Sequence, residues 1–495
     1  MKKSLTVNYI YNMIYKILTL ITPLITTPYV SRILGVENIG IYNYTYSVLS
    51  YFVLFGVLGL QMYGQREIAY VSDDKDKKNK VFWEILWTRI VTTTTALIIF
   101  CIFATFTNYK IYYLIFGIEL IANAIDISWL YYGVEEFKKI TIRNVIIKII
   151  GIICIFLFVN DANDLAVYIM CHVSVMLIGN LSLWIGIKKQ ISDINRPSIA
   201  CIKHIKTAII LFLPQCLDSI YMLMDKVMLG NMSSMEQVGI YGQADKIIKM
   251  VVTVITSLGL VVSPRIAKSA KEGKTNEIKK YMYNSFYFVF FMAFPMIFGL
   301  IGISDMFSIW FFGEEYEGVA QMINILSPII LFMGLNSVIG WQYLMTVRRE
   351  KDFTKSVAVG AIINFILNAV LITKLEAVGA AIASIISMFI MTIINFYWIK
   401  DLIKIKEVLI RIPKLLLAST IMFLIIKPIQ FINLKPILIT FIQVGIGIIV
   451  YVGILIILKD RMVNEYLSMI TNKLKLNGEK DKLLKKELNK NEKRK

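Results

Sequence analysis

The sequence predicts an all-α, polytopic membrane protein of fourteen transmembrane helices, arranged as two pseudo-symmetric six-helix lobes plus two C-terminal helices. Three observations predict it. Apolar runs of about 20 residues, long enough to cross a hydrocarbon layer of roughly 30 Å, recur from one end of the 495-residue chain to the other. The loops between them alternate in Lys and Arg content. A phrase near the start of the chain also returns about 200 residues later.

The expected spans are 8–31, 39–62, 83–107, 111–132, 140–159, 165–187, 205–230, 238–262, 282–303, 319–346, 356–373, 377–399, 408–426 and 436–458. With 57% hydrophobic residues and a mean hydropathy of +0.66, the composition excludes a soluble globular domain of this size. The basic, apolar start has too long an apolar part for a signal peptide and no small-residue cleavage site, so it reads as an uncleaved first helix.

The loops test the count. Together with Lys2 and Lys3, one alternate set, from "REIAYVSDDKDKKNK" to "KDLIKIKEVLIRIPK", carries about 30 basic residues, and the other set carries five. Translocation disfavours Lys and Arg, which puts the rich loops and both termini in the cytoplasm. A single missed helix would scramble this alternation. The net charge of +19 is therefore an orientation signal spread over loops and not a nucleic-acid footprint.

"SRILGVENIGIYNY" (31–44) returns as "DKVMLGNMSSMEQVGIYGQ" (225–243). "GLQMYGQREIA" after the second span returns as "GLVVSPRIA" after the eighth, and "GVEEFKKITIRN" is echoed by "VRREKDFTKSVA". Three matches in one order argue for duplication. The copies lie an even number of spans apart, so equivalent helices run in the same direction, as in parallel-repeat transporters. The expected divisions are an N-lobe over 1–200 (helices 1–6), a C-lobe over 201–400 (helices 7–12), helices 13–14 over 401–459 and a basic cytoplasmic tail over 460–495.

Ionisable groups in mid-span each cost about 2.5–3.5 kcal/mol to insert, so each needs a reason. Lys16 lies on a polar stripe with Asn8 and Asn12; Arg89 follows Glu84; Glu119, Asn123 and Asp126 share a face; Lys148 follows Asn144; Asp218 precedes Asp225 and Lys226; Asp245, Lys246 and Lys249 cluster. The stripes concentrate in spans one, three, four, five, seven and eight, predicting a polar lumen between the lobes. Its cations, Lys16, Arg32, Arg89, Lys148, Lys226, Lys246 and Lys249, outnumber or match the acids and suit an anionic substrate. The carboxylates Glu119, Asp126, Asp218 and Asp245 either pair with them or take a coupling H+ or Na+; the membrane potential is the other expected driving force. The bland alternatives are snorkelling to an interface, for which Lys249, Asp225 and Arg32 are placed, and buried pairs that only fix packing.

Five separated cysteines read as small buried hydrophobes, and His172 and His204 as poor catalytic candidates. No phosphate-binding G-x-x-x-x-G-K-[ST] occurs. No metal or organic cofactor is expected, and the chain is not expected to be an enzyme. The Lys-rich tail suits a solvated or surface-lying helix near anionic lipid.

The stretch "TPYVSRILGVENIGIYNYTYSVLSYFVLFGVLGL" resembles the first two spans of the Wzx-type flippases, the O-antigen or polysaccharide repeat-unit transporters. "GLQMYGQREIA" and "WLYYGVEEFKKITIRN" are similar to that family's habits as well. The family belongs to the multidrug/oligosaccharidyl-lipid/polysaccharide (MOP) exporter superfamily, and the resemblance implies its two-lobed, MATE-like fold. It also implies a function: alternating access moves an undecaprenyl-pyrophosphate-linked oligosaccharide from the inner to the outer leaflet of a bacterial plasma membrane, with polysaccharide polymerase and glycosyltransferases as partners and with substrate binding by the lumen cations Lys16, Arg32, Arg89, Lys148 and Lys249. Two other readings stay open. An ion-coupled multidrug exporter would have an acid-dominated, aromatic lumen. A membrane polymerase or ligase would have larger outer loops than the roughly 15 residues available here.

Overall fold

The computed structural model describes the backbone of residues 5–191, 201–410, 412–460 and 463, and side chains from residue 18 onward within those stretches except 20, 201–203, 210–211 and 213–215. The Lys16 side chain, most of the tail and the loop 192–200 lie outside this description. The described chain is helical, in the order α1 (Leu5–Val57), α2 (Leu60–Tyr70), α3 (Lys75–Thr105), α4 (Lys110–Ala124), α5 (Ser128–Gly133), α6 (Phe137–Phe158), α7 (Leu165–Ser182), α8 (Cys201–Met232), α9 (Met235–Thr256), α10 (Gly259–Lys271), α11 (Thr275–Phe312), α12 (Glu317–Leu326), α13 (Ile329–Asn336), α14 (Glu350–Trp398), α15 (Ile405–Leu409), α16 (Ile412–Ile426) and α17 (Pro436–Ile457). Among the described residues, nine helices are long and apolar enough to cross a membrane, or up to eleven if the bent pairs α9/α10 and 314–326/329–344 each count as one.

Two of these helices are longer than one crossing allows. At 1.5 Å per residue, α1 with 53 residues and α14 with 49 residues would each exceed twice the bilayer core if straight. Each contains one non-helical residue, Gly35 (φ +73°) and Glu376 (φ +50°). The chain folds back at both. Asn364 donates to Ser384 Oγ at 3.2 Å, and the Trp398 indole reaches Ser356 Oγ at 3.0 Å. These pairs straddle Glu376 and would be tens of ångströms apart on a straight rod. Likewise Ser31 and Asn43, on either side of Gly35, both reach the Gly242–Gln243 step of α9. Only a glycine adopts φ near +73° without strain, which makes Gly35 the natural hinge. Glu376 holds a left-handed conformation as a non-glycine, with its carboxylate accepting from Ser233 at 3.3 Å.

The apolar core divides in chain order. One cluster of buried residues draws on Tyr221 to Val463, and two others on Val30 to Val173 and Leu60 to Ala208. Many large apolar side chains of α6, α14, α16 and α17 are exposed, as lipid-facing helices require. The protein is thus a multi-pass membrane protein.

The repeated phrase meets itself at the seam. A Cβ on Gly40 would lie 1.7 Å from the Met235 carbonyl oxygen, and one on Gly239 would lie 2.2 Å from that of Val36. The step from 36 to 235 equals the step from 40 to 239, so the two contacts are pseudo-symmetric mates. The glycines of the two Gly-Ile-Tyr sequences exist because the second arm of α1 and the start of α9 cross with their backbones touching.

Candidate functional site: a cation-rich cavity between the two halves

Beside this crossing lies a cavity of about 1130 Å³. Its walls come from both halves: Thr22, Tyr42, Glu119, Asp126, Lys148 and Tyr168 from one, Lys226, Asp245, Lys246 and Lys249 from the other. Five basic side chains (Arg143, Lys148, Lys226, Lys246, Lys249) face three carboxylates (Glu119, Asp126, Asp245), so the lining is net positive. Asp245 accepts from Lys226 and from Lys249, each at 2.8 Å. One carboxylate thus holds two ammonium groups, and the excess charge stays available to an anion. Lys246 makes no ion pair within 4 Å among the described residues. Residues 226, 245, 246 and 249 converge because α8 and α9 pack side by side and 245, 246 and 249 fall within one helical turn.

The sequence-predicted residues divide. Lys148, Lys249, Glu119, Asp126 and Asp245 line the cavity. Lys16 lies outside the described side chains. Arg89 and Arg32 were expected on the lumen and are elsewhere. Arg89 is 1% exposed behind the wall, where Asn123 O (2.6 Å), Gln61 Oε1 (3.0 Å) and Asp126 Oδ2 (3.2 Å) take its guanidinium. Its charge is consumed in bracing α3 against α4, which is the packing alternative. Arg32 is exposed at the hairpin tip, where its guanidinium donates to the Trp310 carbonyl and its stem covers Gly313. Asp218 opens instead on a second cavity of about 580 Å³ with Met222, Met333, Asn336, Trp341 and Met388.

Removing one partner of a buried pair strands the other charge. Arg89→Ala is therefore expected to destabilise the fold by about 3–5 kcal/mol, read as a lower thermal midpoint in detergent, with Arg89→Ala/Asp126→Asn recovering part of the loss.

Two features were missed. His172 lies 3.6 Å from Glu119 across the cavity wall; its isolation in sequence gave no signal. Asp225, placed by sequence to snorkel, is 7% exposed. Its carboxylate accepts from Ser384 (2.5 Å), Tyr241 (2.6 Å), Asn368 (2.7 Å) and Asn364 (3.1 Å). Asn364 and Asn368 lie one helical turn apart on α14, and nothing in the sequence ties them to a partner on α8.

The fold formed by the described helices is one shared with solved membrane transporters. The structure overlays on an inward-closed lipid II flippase MurJ with a TM-score of 0.73 at 18% identity, covering 92% of this chain and 100% of that one. It overlays on an inward-facing multidrug resistance MATE family transporter of the MOP superfamily with a TM-score of 0.62 at 14% identity, covering 78% and 95%. Residues 5–270 match the family described as polysaccharide biosynthesis protein, and residues 211–372 match MatE. The chain belongs to the polysaccharide biosynthesis protein family, the Wzx-type MOP flippases that the opening spans resemble. It is 26% identical to an Escherichia coli (strain K12) protein provisionally named an O-antigen transporter, over 81% of this chain and 98% of that one. It is 23% identical to the capsular polysaccharide biosynthesis protein CapF of Staphylococcus aureus, over 79% and 98%.

Proposed function

We propose that this protein is a flippase for a lipid-linked oligosaccharide, with an undecaprenyl-pyrophosphate carrier as the lipid and alternating access as the mechanism. The observation that carries this reading is the net-positive cavity contributed by both halves. A pyrophosphate needs several cations in a site wet enough to admit it, and an oligosaccharide needs volume. The relatives named as O-antigen transporter, capsular polysaccharide biosynthesis protein and lipid II flippase support the same substrate class. In this reading the polyprenyl tail stays in the bilayer while the charged head and sugars cross the cavity, so no bond is made or broken.

The reading takes fourteen passes: both arms of α1 and of α14, the two bent pairs as one each, and α8 included. Lobes then divide near residues 200 and 400, and the basic loops and both termini face the cytoplasm of a bacterial plasma membrane. Polymerase and glycosyltransferases act before and after the flip.

The test is reconstitution in vesicles with a fluorescent undecaprenyl-pyrophosphoryl saccharide. Leaflet exchange above that of empty vesicles supports the reading. No exchange, together with efflux of a lipophilic cationic dye, would replace it with the multidrug alternative.

The coupling ion is H+ or Na+, and its place is Asp225. This buried carboxylate has four hydrogen-bond donors and no cation within ion-pair distance among the described residues, so an ion could bind there by displacing or reorienting its neighbours. Asp225→Asn is expected to leave a protein that folds but whose exchange no longer responds to an imposed proton or sodium gradient, as measured in the same vesicles.

A further inference from the structure

The cation cluster occupies one part of the cavity lining; another part is aromatic. Tyr42, Tyr46 and Tyr168 are half-buried and line the cavity. The Tyr42 and Tyr46 rings are parallel within 4°, with centroids 5.7 Å apart, as residues one helical turn apart can be. Tyr168 adds a third ring 4.9 Å from Tyr42. Phe116 is fully buried behind the rings, 5.9 Å from Tyr42 and 5.8 Å from Tyr46, and His172, itself part of the cavity lining, meets both edge-on.

A phosphate has no use for such a wall. A pyranose does: its ring C–H bonds are polarised positive and pack flat on an electron-rich aromatic face, while its hydroxyls both donate and accept. We infer that Tyr42, Tyr46 and Tyr168 form a glycan-recognising subsite, distinct from the anion subsite at Lys226, Lys246 and Lys249. This inference rests on the flippase reading above and assigns the two ends of the passenger to different walls. Glycan length and composition are sensed by the tyrosine wall, and the carrier's charge by the lysines.

The experiment uses the full-length protein in vesicles with two probes. One is lipid-linked oligosaccharide extracted from the source organism; the other is undecaprenyl pyrophosphate without sugar. Tyr42→Leu/Tyr46→Leu is expected to slow exchange of the oligosaccharide probe about tenfold, from two lost stacking contacts, and to leave the sugar-free probe unchanged. Tyr42→Phe/Tyr46→Phe keeps the ring faces and is expected to exchange both probes at nearly the wild-type rate. Equal loss of both probes in the leucine variant, or loss of the oligosaccharide probe in the phenylalanine variant, would overturn the inference and leave the flippase reading intact. Failure of the wild-type protein to exchange either probe would instead sink the flippase reading, and this inference with it.

Discussion

Lys226→Glu/Lys246→Glu is expected to abolish exchange of a pyrophosphate-linked probe in reconstituted vesicles. A unit anion about 4 Å from a cation in a site of effective dielectric near 20 gains roughly 4 kcal/mol. Reversing two of the five lining cations turns attraction into repulsion beside Asp245, so the loss should exceed about a hundredfold. The milder Lys246→Gln removes the one α9 cation that has no ion pair among the described residues and should cost about tenfold. Asp245→Asn gives the opposite sign. It releases Lys226 and Lys249 from their shared carboxylate and should raise affinity for the anion, read as half-saturation at lower probe content. Wild-type exchange by the double glutamate variant would remove the anion subsite from the account. Monodisperse elution in detergent separates loss of transport from loss of fold.

The second large effect belongs to the seam. Gly40→Val and Gly239→Val each place a branched side chain where a carbonyl oxygen of the opposite half sits within about 2 Å of the new Cβ. Neither backbone can shift without unpacking the crossing of α1 and α9. A cost above about 4 kcal/mol is expected, in the range kept for severe overpacking. Thermal unfolding in detergent should show it. A cysteine at Asn43, which lines the cavity next to the crossing, should become more reactive toward a membrane-impermeant thiol reagent in either variant. Because the contacts are mates under the internal repeat, the two variants should resemble each other closely. An innocuous Gly40→Val would mean that the crossing opens freely.

Much of the architecture was legible in the sequence because a bilayer imposes simple rules: apolar runs of set length, and charge excluded from one set of loops. The hairpins at Gly35 and Glu376 fall in the gaps between the expected spans 8–31 and 39–62 and between 356–373 and 377–399. Periodicity could say that Glu119, Asp126, Lys148, Asp245 and Lys249 lie on polar stripes. It could not say which stripe faces a cavity and which faces a partner. Arg89 and Lys148 look alike in sequence, yet one is locked by Gln61, Asn123 and Asp126, and the other lines the cavity. That difference is decided by residues on other helices. Asp225 shows the same limit, since its four donors come from α9 and both arms of α14. Arg32 took the snorkelling alternative, because a residue near a span end belongs to the lumen or to the rim according to a turn that only three dimensions reveal.

The basic groups around the cavity are shared between the halves, with Arg143 and Lys148 on one side and the lysine trio on the other. Like charges on facing walls repel across a narrowing gap, so bringing the walls together is uphill for an unloaded carrier. A passenger bearing two or more negative charges bridges the walls and reverses that sign. Under the proposed alternating access this makes an electrostatic interlock, in which the proposed cargo supplies the counter-charge for turnover.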